Sequence, residues 1–180
     1  MANYTDVLLI NENVIKSVTN ISENVSAGYL LPSIKLAQDL NLEETIGTPL
    51  KVALQKMVFD NKIGTEMAYK TLLDDYIQPY LTYATIVHLI PVVSFKIANA
   101  GVLITEDEKM RNTTDVDKVK NHYKHLADVY KGRLQKYLIA NYSTYPELGK
   151  YKSVADIRQN LYSTASCNIS LGGSRGKVLI

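Results

Sequence analysis

The feature that most restricts the fold is an apolar stretch over residues 80–95, the longest in the chain. It is shorter than the roughly 20 residues that a helix needs to cross a bilayer, and His88 and Pro91 interrupt it. A helix that is apolar on nearly every side must be buried by neighbours on all sides. The stretch therefore predicts a central helix over residues 80–98, with Pro91 as a candidate kink, inside a bundle of other helices.

Apolar residues at helical spacing predict the surrounding helices. In one of them, Leu30, Ile34, Ala37 and Leu40 form a stripe that we expect to face the core. The predicted helices span residues 11–18, 26–42, 50–59, 65 to a bend or break at Pro79, and 114–140. The expected fold class is all-α, a helical bundle of about five to six helices with an extended C-terminal arm. We expect residues 1–150 to form the helical domain and residues 151–180 to form the arm, which becomes ordered on assembly.

No recognised constellation of catalytic residues occurs in the sequence. A single cysteine, Cys167, excludes an internal disulfide framework and a four-cysteine zinc site. His122 and His125 are three residues apart on the predicted long helix, but no companion Glu or Cys has the usual zinc-ligand spacing. Residues 171–177 are similar to a phosphate-binding loop but lack its Lys-Ser/Thr ending. We therefore predict that the protein is not an enzyme and uses no metal and no cofactor.

Charge is distributed unevenly along the chain. Residues 1–108 contain 7 Lys/Arg and 13 Asp/Glu, whereas residues 109–180 contain 13 Lys/Arg and 5 Asp/Glu. Three interpretations are open: the charges mix in the fold, a basic surface meets nucleic acid phosphates, or an acidic face meets the basic face of a neighbouring copy. Thirteen tyrosines against two phenylalanines and no tryptophan also suit surfaces that become buried against partners, although several of these tyrosines lie on predicted core stripes.

Several segments, in order along the chain, carry a family resemblance. They are residues 20–25 (NISENV), 29–40 (YLLPSIKLAQDL), 46–50 (IGTPL), 69–81 (YKTLLDDYIQPYL), the long helix over 119–141, and 145–148 (YPEL). Together they resemble a family of small proteins of tailed phages and prophages of gut Bacteroidetes, crAss-like phages included. The resemblance covers about residues 20–150 and does not extend to the arm.

That resemblance implies a head–tail connector, also called an adaptor or neck ring protein. Such proteins form a ring beneath the portal, usually with its roughly twelvefold symmetry, and are helical bundles with extended arms. The implied partners are other copies of the chain in a ring of twelve, the portal protein, the next neck or tail ring protein, and passing double-stranded DNA without sequence specificity. No membrane partner is expected. The implied location is the virion neck at the head–tail interface, after assembly in the host cytoplasm, and the family brings no catalytic residues.

Two groups of residues are candidates for these contacts. On the long helix, the candidate DNA-channel or subunit-contact residues are Lys118, Lys120, Lys124 and Lys131. In the arm, the candidate partner-binding residues are Arg158, Arg175, Lys177, Val178, Leu179 and Ile180. An extended apolar end suits β-augmentation, in which a tail adds a strand to an adjacent subunit, and a frayed terminus is the alternative.

A different class of function fits the same charge pattern. The basic C-terminal half also suits a cytosolic helical DNA-binding or regulatory protein. Such a protein binds specific duplex DNA at physiological salt, whereas a free connector subunit is expected to bind duplex DNA weakly or not at all.

Overall fold

A computed structural model describes residues 3–19, 21, 25–98, 101–104 and 113–150, and it confirms the predicted all-α class. The candidate arm residues lie outside these ranges. The helices are α1 (Glu12–Val18), α2 (Ala27–Leu36), α3 (Glu43–Ile46), α4 (Thr48–Phe59), α5 (Met67–Thr71), α6 (Gln78–Ser94) and α7 (Thr113–Ala140). Short 3₁₀ turns cover Tyr4–Asp6, Tyr142–Thr144 and Pro146–Lys150.

Side-chain caps and a glycine set several helix ends. The Asn11 side chain accepts a hydrogen bond from the backbone N–H of Val14, and the Ser26 side chain accepts one from Gly28. Each bond satisfies an N–H group that has no partner inside the first helical turn. Gly47, between α3 and α4, has φ 82°, a conformation that favours glycine.

A π-helical turn over Ala37–Leu42 joins α2 to α3 and shifts the face that points inward. Leu30, Ile34 and Ala37 are buried as the sequence predicts, but Leu40 is 56% exposed and Leu42 is buried instead. A π turn has more residues per turn than an α-helix, so Leu40 rotates away from the core. The prediction that Leu40 faces the core is therefore wrong.

The helix that begins at α5 continues through a second π-helical turn, Leu72–Ile77, into α6. The predicted break at Pro79 does not occur, because the chain remains helical through that residue to Ser94, whereas a bend there stays a prediction. Pro79 follows the wider π turn directly, where its missing N–H removes no regular α-helical hydrogen bond from the preceding turn.

A small β-hairpin follows α6 and replaces the predicted end of the central helix. Strand β1 (Phe95–Ala98) pairs antiparallel with β2 (Gly101–Ile104), so that Phe95 lies opposite Ile104. The sequence prediction that the central helix extends to residue 98 is therefore wrong, since the helix ends at Ser94. Residues with high β propensity, such as Ile97 and Val102, favour strands where the helical pattern ends.

The core is centred on α6, which confirms the predicted central helix. Helix α6 packs most extensively against α7 and also against α2. Its buried residues are Tyr80, Leu81, Thr82, Ala84, Thr85, Ile86, Leu89 and Ser94. The order of packing is therefore α2, α6, α7, with α6 between the other two.

Contacts between tyrosine rings hold the end of α7 against α5 and the second π turn. The rings of Tyr76 and Tyr137 stack with centroids 3.9 Å apart, and Tyr69 and Tyr145 meet edge to face at 5.2 Å. The fully buried Tyr145 donates a hydrogen bond to the Ala68 carbonyl at 2.9 Å and shares one of 3.1 Å with the Tyr137 hydroxyl. These tyrosines pack within the subunit, which confirms the prediction that several of the tyrosines lie on core stripes.

Three glutamines hold the segment before α1. The backbone N–H of Leu9 donates to Gln38 Oε1 at 2.9 Å, and Gln38 Nε2 and Gln55 Nε2 both donate to the Val7 carbonyl. Gln78 Nε2 donates to the Leu9 carbonyl at 3.3 Å. Buried backbone N–H and C=O groups need hydrogen-bond partners. In this segment the glutamine side chains are those partners, in the place that a paired strand takes in a β-sheet.

Candidate subunit-contact and nucleic-acid-contact surfaces

Three of the four predicted basic residues of α7 lie in one row. Lys120, Lys124 and Lys131 follow each other at intervals of four and seven residues, which places them on one flank of a helix with 3.6 residues per turn. Lys124 is exposed, whereas Lys120 and Lys131 are half-buried. Lys131 Nζ lies 3.3 Å from Glu44 Oε2, so this ammonium group ties α7 to α3 within the subunit. Lys120 and Lys124 stay predictions as contacts for DNA or for a neighbouring subunit.

The fourth residue, Lys118, lies on a different side of the helix. We call this side the outer face of α7 and define it by the exposed residues Lys118, His122, His125, Val129 and Lys136. The opposite side of α7 carries its buried residues, Ala127, Leu134 and Leu138. The structure therefore separates Lys118 from the lysine row instead of joining all four residues in one patch.

His88 lies on α6 in a setting that keeps it neutral. Its Nε2–H donates a hydrogen bond to Asn41 Oδ1 at 2.6 Å. Burial lowers the pKa of His88, and the nearby positive charge of Lys120 lowers it further. The hydrogen bond and the partial burial are typical of a histidine that packs at the edge of the core.

A compact ionic cluster lies where α4 meets the π turn and α3. Lys51 on α4 is 8% exposed, and its ammonium lies 3.0 Å from Asp39 Oδ1 and 2.5 Å from Glu43 Oε2. A hydrogen bond from Lys51 holds the pKa of Glu43 below its ordinary value. Burial raises the pKa of Asp39, but Lys51 and Lys35 outweigh it and leave that pKa lowered. The cluster is thus ionised at neutral pH and joins α4 to the π turn and α3.

Beside this cluster, the outward side of α2 is apolar. We call it the α2 face and define it by Tyr29, Pro32, Leu36 and Leu40, which recur at intervals of three or four residues. Tyr29 is 47% exposed and Leu36 is 43% exposed. The sequence analysis missed this face because it assigned Leu40 to the core. The signal that could have found it is the second apolar row, offset from Leu30 and Ile34 on the same helix.

A groove of about 490 Å³ lies between α1, the second π turn, α6 and α7. Its walls combine apolar residues such as Val14 and Val18 with the carboxylates of Asp74 and Asp75. Arg133 lies at the groove with its guanidinium 5.2 Å from the centre of the Tyr130 ring. Asp74 also pairs with Lys70. The groove contains both carboxylates and a guanidinium group. Its polar side chains do not converge on one point in the way that a catalytic site requires.

Within the part of the chain that the structure describes, no group of three or more His, Cys, Asp or Glu side chains is placed to hold a metal ion. His122 and His125 are both exposed on the outer face of α7. Among the same described residues, no helix is long and apolar enough to span a membrane. The candidate arm residues, Arg158 to Ile180, are not among the described residues.

Comparison with known proteins assigns the chain to a family. Residues 42–158 match DUF6712, a family of unknown function. The match covers more than half of the chain, so the protein belongs to the DUF6712 family. No curated protein and no solved structure matches the chain.

Proposed function

We propose that the protein is a structural component of a phage particle, a ring protein between portal and tail that joins head to tail and continues the genome exit channel. The observation that carries the proposal is the basic character of helix α7, which has six Lys/Arg and three Asp. The carboxylates of Asp39, Glu43 and Glu44 lie on the π turn and α3, where Lys35, Lys51 and Lys131 pair with them. The resemblance over residues 20–150 supports the same assignment.

The distribution of charge suits passage of DNA without sequence readout. Phosphate contacts position a duplex and carry no sequence information directly, and a moderate number of exposed lysines provides such contacts. Lys124 on the row is exposed, and Lys120 on the same row is half-buried. A strongly basic lumen is expected to retard the genome, so a small number of lysines among His, Asn and Val is consistent with the proposed channel.

A charge-neutralised variant tests the proposal in particles. Replacing Lys118, Lys120 and Lys124 by Gln in the encoding phage is expected to reduce particle yield or genome retention. The matched control replaces Lys56, Lys62 and Lys70, three exposed lysines outside α7. Unchanged yield and unchanged genome content in the α7 variant would exclude α7 from the proposed channel.

Duplex affinity measured against salt concentration tests the DNA-binding alternative. A regulator is expected to bind one sequence at physiological salt with a Kd of about 10⁻⁸ M or tighter. For a free connector subunit we expect weak binding at low salt that disappears as salt rises, with no preference for sequence. Tight, sequence-specific binding would favour the regulatory protein over the ring protein.

A further inference from the structure

We infer that the α2 face of one copy docks onto the outer face of α7 of a second copy, so that copies join head to tail. The inference deepens the proposed function and rests on it, because it names the two surfaces that close the proposed ring. Four observations support the inference. They are the exposure of the α2 face, the charge beside that face, the composition of the outer face of α7, and the position of the two faces around α6.

The α2 face is apolar over three turns of helix although it is exposed to solvent. Leu40 is 56% exposed, more than Tyr29 or Leu36, and Pro32 between them is exposed as well. Single exposed apolar residues are ordinary on protein surfaces, but a contiguous row marks an interaction site. Tyrosine and leucine in such a row suit a contact that excludes water at its centre.

Acidic side chains border the α2 face and select a basic partner. Asp39 and Glu43 lie along one side of it, with side chains 39% and 33% exposed. Asp6 lies within 4.0 Å of Lys35 at the same border and its side chain is 75% exposed. The three carboxylates share two ammonium groups, those of Lys35 and Lys51, so the border keeps a net negative charge.

The outer face of α7 has the complementary composition. Val129 is 47% exposed at the middle of this face, and Lys118 and Lys136 lie on either side of it along the helix. His122 and His125 are exposed between them. An apolar centre with a basic border fits an apolar face with an acidic border, and matched potentials of this kind fix register and exclude wrong partners.

The fold places the two faces on different sides of the subunit. Helix α6 packs against α2 and against α7, and each face is the side of its helix that points away from that packing. A contact between two different surfaces of identical copies is heterologous, and it closes into a ring when the rotation between copies closes. One pair of surfaces therefore suffices to build the proposed ring from a single chain.

Paired variants of the full chain test the inference. Leu40→Lys introduces a charge on the α2 face, and Val129→Glu introduces a charge on the outer face of α7. Both positions are exposed, so each variant is expected to retain the fold. Circular dichroism checks that it does. Phe59→Lys is the matched control, since Phe59 is 48% exposed on α4 outside both faces. Analytical ultracentrifugation of each protein measures self-association. We expect each of the two face variants to associate at least tenfold more weakly than wild type and the control to associate like wild type.

Mixing the two face variants separates this inference from other modes of assembly. Each variant retains the face that the other lacks, so an equimolar mixture is expected to form a dimer that grows no further. A mixture that remains monomeric, or a Val129→Glu variant that associates like wild type, would overturn the pairing. Wild-type protein that stays monomeric at the highest concentration reached would overturn it as well. None of these results affects the proposed presence of the protein in the virion, which is measured independently in particles.

Discussion

Replacement of Lys51 by Met is expected to destabilise the subunit in a way that depends on pH. Lys51 is 8% exposed and its ammonium contacts Asp39 at 3.0 Å and Glu43 at 2.5 Å. Methionine fills a similar volume but leaves the two carboxylates without their shared cation. Hydrogen bonds to charged groups contribute about 1.5–3 kcal/mol each when buried, and the partial exposure of both carboxylates reduces this. We therefore expect a loss of about 2 kcal/mol in the free energy of unfolding at pH 7.

The sign of the pH dependence follows from the shifted pKa values. The pKa of Glu43 and that of Asp39 are lowered in the folded protein, so their contribution is present above the ordinary carboxyl pKa and is lost as pH falls through the folded values. Burial lowers the pKa of Lys51, but hydrogen bonds to Glu43 and Asp39 outweigh it and leave that pKa raised. The lysine contribution therefore persists through neutral pH and is lost only as pH rises above the ordinary lysine range.

Urea denaturation followed by circular dichroism measures this effect at pH 7 and at about pH 3, below the ordinary carboxyl pKa. We expect the difference between wild type and Lys51→Met to be largest at pH 7 and to shrink at the lower pH. Lys70→Met is the control, because Lys70 is exposed and its pairing with Asp74 is expected to contribute little. A difference that stays constant between the two pH values, or that is absent at pH 7, would refute the reasoning about the cluster.

Three further predictions concern the interior. Thr85 is fully buried and its hydroxyl has no hydrogen-bond partner among the described residues, so Thr85→Val is expected to raise the free energy of unfolding by about 1 kcal/mol; a lower Tm contradicts this. Tyr145→Phe removes the hydrogen bonds to Ala68 and Tyr137 and is expected to lower the free energy of unfolding by about 1–2 kcal/mol. An unchanged urea denaturation midpoint would contradict this. Gln38→Leu removes the acceptor of the Leu9 N–H, so amide hydrogen exchange at Leu9 is expected to accelerate at least tenfold. Unchanged protection of this amide would mean that the other two glutamines hold the segment without Gln38.

The strongest sequence patterns predicted the fold well. The apolar stretch beginning at Tyr80 forms the buried central helix α6, and the long periodic pattern forms α7 with its end at Ala140 as predicted. Both succeed because burial of an apolar face dominates the choice of structure in long segments. Propensity near a boundary is a weaker signal, and the predicted helix therefore ran past Ser94 into β1.

The candidate surfaces were harder to predict, because they depend on local register and on contacts between distant segments. The π turn over Ala37–Leu42 rotates Leu40 outward, and the spacing of apolar residues in the sequence does not predict a π turn at this position. The pairing of Lys131 with Glu44 joins residues far apart in the chain, so a row of lysines on one helix could not reveal which of them is already engaged. Exposure of Lys124 and engagement of Lys131 follow from the packing of α7 against α3 and α6.

Quantitative mass spectrometry of purified virions from the encoding phage tests the proposed function most directly. The copy number of this protein is measured against that of the portal protein in the same particles. The proposed ring predicts about one copy per portal subunit, in a stoichiometric complex that survives purification. Absence of the protein from the particle would contradict the ring and would direct the search to DNA and regulatory complexes of the infected cell.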